Sequence, residues 1–220
     1  MMNLRDKKFV FFDMDGILID TEGLYYSARK EILEKYGFPF TKEDNQHYIA
    51  KGFPDTKRRL QELAGDPKLG AKIFDESMER YHDKVLAGEV TLKSGTIELL
   101  TYLQEHNIAR YITSSSTKEI LTLNAKNTGI TDYFTALISG DDVKNNKPAP
   151  DIYLHALDVT HAKPEDALIF EDSNSGIESG LAAKIDVIIV PDLVQPKPKL
   201  AKQAVAVLPN LKESIKLFEE

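Results

Sequence analysis

The 220-residue sequence contains no cysteine. Disulfides, a thiol nucleophile and thiolate metal ligation are therefore excluded, and a reducing compartment suits the chain. Long apolar runs are missing too, since none approaches the roughly 18 residues of a membrane span. The opening stretch "MMNLRDKKFV" is charged where a signal peptide would be apolar, so a cytoplasmic location is expected. Positive charge is in deficit: 28 Lys and Arg against 35 Asp and Glu leave a net charge of -7. A non-specific nucleic-acid binder leans basic, so neither nucleic acid nor membrane is an expected partner. His47, His82, His106, His155 and His161 show no i, i+4 pairing of the metal-binding kind and read as structural or solvated.

What is present is an alternation. Short apolar runs at Phe9–Phe12, Ala109–Thr113, Ala136–Ser139, Ala167–Phe170, Val187–Val190 and Val205–Leu208 read as strands. Helical patterns separate most of them. In "GTIELLTYLQEH", Ile97, Leu100 and Leu103, with Leu99, are expected on one buried face. Near-continuous apolar strands alternating with helices predict an α/β fold, a Rossmann-like parallel sheet flanked by helices. One block departs from this pattern. Between Asp20 and about Glu89 the chain reads as helices only, at Gly23–Tyr36, Thr56–Ala64 and Lys68–Leu86. The expected organisation is an α/β core of residues 1–20 and 89–220, with an all-helical insert at 21–88.

Four stretches at or near predicted strand ends carry chemistry. "KKFVFFDMDGILIDTE" runs from an apolar strand into Asp13 and Asp15. Positions i and i+2 of extended backbone point the same way, so both carboxylates can address one pocket, with Gly16 letting the chain turn away. A pair of solvated aspartates at a strand end is the plainer alternative. "RYITSSSTKEI" ends a second strand at Thr113 and continues through three serines into a helix. Such a turn either holds an anion or merely caps the helix through Ser115 or Ser116. "NNKPAPDIYLHAL" sets Lys147 between a loop and two prolines, which fix where the ammonium emerges. "LIFEDSNSGIESG" ends a strand in Glu171 and Asp172. Two acid pairs supply hard oxygen ligands, which suit Mg²⁺ better than zinc.

Taken together, Asp13-Met-Asp15-Gly16 with Asp20, Thr113-Ser114, Lys147-Pro148-Ala-Pro150-Asp151 and Glu171-Asp172-Ser173 with Gly176 resemble the haloacid dehalogenase-like superfamily, in its phosphatase and phosphomutase branch. The resemblance spans residues 9 to about 190, and the helical insert is similar to that family's small cap domain. It implies Asp13 as nucleophile, Asp15 as general acid and base, and Lys147 as stabiliser of Asp13 and the transferring group. Thr113 Oγ and the Ser114 N–H would hold phosphoryl oxygens. Mg²⁺ would be held by Asp13, the Asp15 main-chain carbonyl and Asp172, with Glu171 direct or through water. Asp15 itself favours phosphoryl transfer, because halide-releasing branches lack it.

The implied function is a Mg²⁺-dependent phosphatase of a small phosphorylated metabolite, a sugar or polyol phosphate, acting through an aspartyl-phosphate. The alternative is a phosphomutase of the β-phosphoglucomutase type. That branch carries a histidine where this chain has Tyr25, and an arginine near a cap Lys-Gly pair where "AKGFPDTKRR" has Asp55. Arg58 and Arg59 stand nearby but shifted. Within the insert, Lys51, Gly52 and Tyr25 are the candidate substrate contacts, although "LYYSARKEIL" puts one tyrosine on a packed face. A monomer or weak homodimer is expected.

Overall fold

The computed structural model describes residues 4–49 and 53–219. Its elements in chain order are β1 (Phe9–Phe12), β2 (Ile19–Asp20), α1 (Glu22–Lys35), α2 (Lys42–Asn45), α3 (Phe53–Ala64), α4 (Pro67–Leu86), β3 (Thr91–Leu92), α5 (Thr96–Glu105), β4 (Ala109–Thr113), α6 (Lys118–Asn127), β5 (Ala136–Ile138), α7 (Asp151–Thr160), β6 (Ala167–Glu171), α8 (Asn174–Ala182), β7 (Asp186–Ile189), α9 (Pro198–Ala201), β8 (Ala206–Val207) and α10 (Ile215–Glu219). The chain divides into two compact units, Met1–Ile19 with Thr91–Glu220, and Asp20–Val90.

The larger unit is built on a six-stranded sheet of order β5-β4-β1-β6-β7-β8, in which every pair is parallel. Val10, Phe11 and Phe12 of β1 are fully buried, as is all of β6. That is why these strands read as continuous apolar runs rather than alternating ones: helices cover both faces. One face packs Phe11, Ile169 and Val187 against Ile152 and Tyr153 of α7 and Ile177 of α8. From β1 the order runs to β4 and β5 on one side, and to β6, β7 and β8 on the other. The direction of winding therefore reverses at the crevice between β1 and β6, where ligands of open parallel sheets gather.

Each predicted strand is found, β1 and β4 with the expected bounds and the other four with shifted edges. β5 stops at Ile138 because Ser139 turns away: its N–H and hydroxyl both bond the Asp142 carboxylate, at 2.7 and 2.8 Å. β6 runs one residue further than expected and includes Glu171. β2 and β3, which form a separate two-stranded sheet, are too short to leave a periodic signal. Ile97 is 39% exposed while Leu99, Leu100 and Leu103 are buried. At about 100° per residue the three leucines share one arc, and Ile97 falls outside it.

The smaller unit is helical, with α1 and α3 both packed on α4. Leu33, Phe40, Tyr48, Leu60 and Ile73 form its core. α3 and α4 approach so closely at Gly70 that a Cβ there would lie 2.2 Å from the Gln61 Cα. Asp66 caps α4, accepting from the Lys68 N–H, with Pro67 as first helical residue. The short α2, held by a capping box between Thr41 and Asp44, has no counterpart in the sequence expectation. Lys51 and Gly52 lie outside the described residues.

Candidate active site

The carboxyl ends of β1 and β6 and the loop before α7 bring four of the predicted side chains into one cluster. Asp13 follows β1, and its N–H continues the ladder by donating to the Phe170 carbonyl at 3.0 Å. Its carboxylate, nearly buried, accepts from Lys147 Nζ at 2.5 Å. The same ammonium donates to Glu171 Oε1 at 2.7 Å and to the Thr113 carbonyl at 3.0 Å. Three acceptors thus account for its three N–H groups. Asp172 joins from the turn after β6: Asp13, Glu171 and Asp172 each offer an oxygen within 4.8 Å of the others.

Two glycines make room for these acids. A Cβ on Gly176, in the first turn of α8, would sit 1.8 Å from Glu171 Oε1. On Gly16, where φ is +80°, a Cβ would sit 2.4 Å from Asp172 Oδ2. At Gly16 the positive φ also disfavours any side chain, and at Gly176 a side chain would force the Glu171 carboxylate to move.

Electrostatics follow from burial. Desolvation pushes the Asp13 carboxyl up to about 8; Lys147 pulls against it, while Glu171 and Asp15 add to the rise. Asp172 is pushed up to about 9 by burial, with Glu171, Asp13 and Asp192 adding. Burial alone would lower the Lys147 ammonium, yet Asp13 and Glu171 outweigh it and hold the group well above its ordinary range. One cation therefore serves three crowded carboxylates. An all-oxygen donor set with unbalanced negative charge fits a hard divalent ion such as Mg²⁺.

Asp15 is directed elsewhere. Its Oδ2 accepts from Ser116 Oγ at 3.2 Å and from Ser114 Oγ at 3.4 Å. Its carboxylate is no part of the three-acid cluster. The Ser114 N–H, expected to face a phosphoryl group, instead donates to the Ile138 carbonyl at 3.0 Å and extends the β4–β5 ladder. The Thr113 hydroxyl donates to the Phe12 carbonyl at 3.2 Å. The cap of α6 is Thr117 rather than Ser115 or Ser116; its hydroxyl accepts from the Ile120 N–H. In the helical unit Tyr25 stacks on Tyr81, with ring centroids 3.8 Å apart.

Two residues at the site, Tyr153 and Asp192, carry no sequence expectation, and a third, Ser116, carries one only as part of the hydroxyl turn or as a helix cap. Tyr153 donates its hydroxyl to Glu171 Oε1 at 2.8 Å. The signal was a phenol on the buried stripe of α7, where a hydroxyl needs a partner. Ser116 reaches Asp15. Asp192, ion-paired with Lys93, has an oxygen 3.4 Å from the Cβ position of Gly16, beside Asp172. Lys93 and Asp192 stand 99 residues apart, and no local pattern links them.

The model of the haloacid dehalogenase-like hydrolase family matches residues 10–190. A phosphorylated carbohydrates phosphatase from Thermotoga maritima is 32% identical over 203 residues, covering 90% of this chain and 93% of that protein. A protein of Drosophila melanogaster named "Probable pseudouridine-5'-phosphatase" is 31% identical over 217 residues, covering 95% and 93%. The crystal structure of a hydrolase of the same family from Deinococcus radiodurans, with bound phosphate and sodium, superposes with a TM-score of 0.80 at 23% identity, covering 97% of this chain and 98% of that one. Sheet order, the strand-end cluster and these matches lead to one assignment: the chain belongs to the haloacid dehalogenase-like hydrolase family.

Proposed function

We propose that this chain is a Mg²⁺-dependent phosphatase that hydrolyses a small phosphorylated metabolite, a sugar or polyol phosphate, through an aspartyl-phosphate on Asp13. The observation that carries this reading is the single cluster of Asp13, Lys147, Glu171 and Asp172 at the β1–β6 crevice. The Thermotoga maritima relative named for phosphorylated carbohydrates supports the choice of ester.

In the first step an Asp13 oxygen attacks phosphorus, and the bond to the leaving alcohol breaks. A protonated Asp15, turned from Ser114 and Ser116 towards the ester, gives the alcohol its proton. In the second step Asp15 takes a proton from water as that water attacks phosphorus. Inorganic phosphate leaves and the Asp13 carboxylate is regenerated. Lys147 holds Asp13 in place and balances charge as it accumulates on the phosphoryl oxygens. The hydroxyls of Thr113, turned from Phe12, and of Ser114, turned from Asp15, donate to those oxygens in place of the Ser114 N–H, which is bonded to Ile138. Asp13, Asp172, the Asp15 carbonyl and Glu171, direct or through water, would hold Mg²⁺, which offsets repulsion between nucleophile and ester. The helical unit supplies substrate selection, with Tyr25, Lys51 and Gly52 as its contacts.

The mutase alternative is the weaker one. Its distal-phosphate anchor would have to come from Arg58 or Arg59, and Asp55 pairs with both, at 2.6 and 3.7 Å. Tyr25, standing where a gating histidine would be, is engaged with Tyr81.

A screen of phosphorylated sugars, polyols and nucleotides, with an aryl phosphate as reference, tests the proposal. Phosphate release that requires Mg²⁺ is expected, with sugar or polyol phosphates preferred. Asp13→Asn is expected to lower kcat by about a thousandfold or more while the protein stays folded by circular dichroism. Undiminished turnover in that variant would remove Asp13 as nucleophile. Activity on β-glucose 1-phosphate only, in the presence of a bisphosphate activator, would favour the mutase.

A further inference from the structure

Tyr153 takes no part in the reaction as described, yet its hydroxyl ends inside the cluster. The phenol sits in α7 and is fully buried. Its hydroxyl donates to Glu171 Oε1 at 2.8 Å, and Lys147 Nζ reaches the same oxygen at 2.7 Å. Glu171 Oε2 accepts from the Ser173 N–H at 3.3 Å and from Ser173 Oγ at 3.1 Å. Two donors hold each oxygen of this wholly buried acid, and a metal contact from Glu171 would take the place of a Ser173 bond. Lys147 is equally committed, with bonds to Asp13, Glu171 and the Thr113 carbonyl.

Packing explains the ring but not the hydroxyl. The ring belongs to the core formed with Ile152, Ile169 and Ile177 and lies 5.1 Å from Lys147 Nζ. Phenylalanine would fill that volume equally well. The hydroxyl adds one donor at the oxygen where a second carboxylate competes with Asp13 for a single ammonium. Without it, Glu171 Oε1 would keep only the lysine, and a buried carboxylate short of a donor draws its remaining cation closer. The ammonium would then leave Asp13.

We infer that Tyr153 is a positioning residue: its hydroxyl fixes Glu171 and thereby keeps the Lys147 ammonium shared with Asp13. This rests on the phosphatase reading for its kinetic consequences, and on the geometry alone for its effect on the acid cluster.

Tyr153→Phe removes only the hydroxyl, and urea unfolding checks that the variant is folded. Two readouts follow. With an aryl phosphate at saturating Mg²⁺, kcat is expected to fall about tenfold with KM unchanged within about twofold. Calorimetric titration of the substrate-free protein with Mg²⁺ is expected to show affinity weakened by about tenfold, because Glu171 is loosened. Repeating the titration in a Glu171→Gln background closes a double-mutant cycle. There the further loss on Tyr153→Phe should shrink to less than about twofold. The inference is overturned if the Phe variant keeps both kcat and Mg²⁺ affinity within twofold of the starting protein. It is equally overturned if its effect on Mg²⁺ affinity is undiminished in the Gln background. Should the unaltered protein release phosphate from no ester at all, the phosphatase reading fails, and the calorimetric cycle still decides the role of Tyr153.

Discussion

Asp13 and Asp172 are buried acids with too little compensating charge, and this sets a sign for the pH response of the metal-free protein. Burial raises their pKa values to about 8 and about 9, against an ordinary 3.8. Between pH 4 and pH 9 the folded state therefore binds more protons than the unfolded state, and stability falls as pH rises across that window. Metal-free protein is expected to show a lower urea midpoint at pH 8.5 than at pH 6. Asp172→Asn should flatten the difference, and added Mg²⁺ should restore stability most at the higher pH. Identical pH slopes in the two proteins would show that Asp172 is not the group responsible. At this scale the sequence was legible where residue type dictates chemistry. Asp13, Lys147, Glu171 and Asp172 each stand at or just beyond a strand or loop end that local pattern marks. What it did not disclose is how hydrogen bonds are spent. Nothing in "TSSSTK" says that the Ser114 N–H goes to Ile138, that Thr117 is the cap, or that two serine hydroxyls turn to Asp15.

Elements were legible where an apolar run marked them, which includes the two-residue β8 inside Val205–Leu208. The strands around Phe11 and Ile169 carry enough consecutive buried residues to declare themselves. The two-residue β2 and β3 and the single turn of α2 do not, because a period needs more than one repeat to be seen. Helix–helix proximity was equally silent: Gly70 in "DPKLGAKIF" gives no sign that it marks the close approach of α3 and α4. Its consequence is testable. Gly70→Ala would place a Cβ 2.2 Å from Gln61 Cα and 2.5 Å from Gln61 N, and neither backbone atom can swing aside. Overpacking of this kind costs about 1–3 kcal/mol, which outweighs the gain of about 1 kcal/mol from alanine's better helix propensity. A lowered urea midpoint is expected. A midpoint equal to or above that of the unaltered protein would mean that the two helices separate at little cost.

On the scale of the whole molecule, the order of strands determines what can loosen. β1 is hydrogen-bonded along both edges, to β4 and to β6, and the Asp13 amide is itself bonded to Phe170. None of these amides can meet solvent unless a neighbouring strand departs first. Deuterium uptake at Val10–Asp13 should therefore be among the slowest in the chain and track global unfolding, with the α1–α4 segment exchanging sooner. Comparable rates in both would contradict this. A gently warmed sample should accordingly lose its phosphate-releasing power when the sheet gives way or when the helical segment opens, but not by fraying at Asp13.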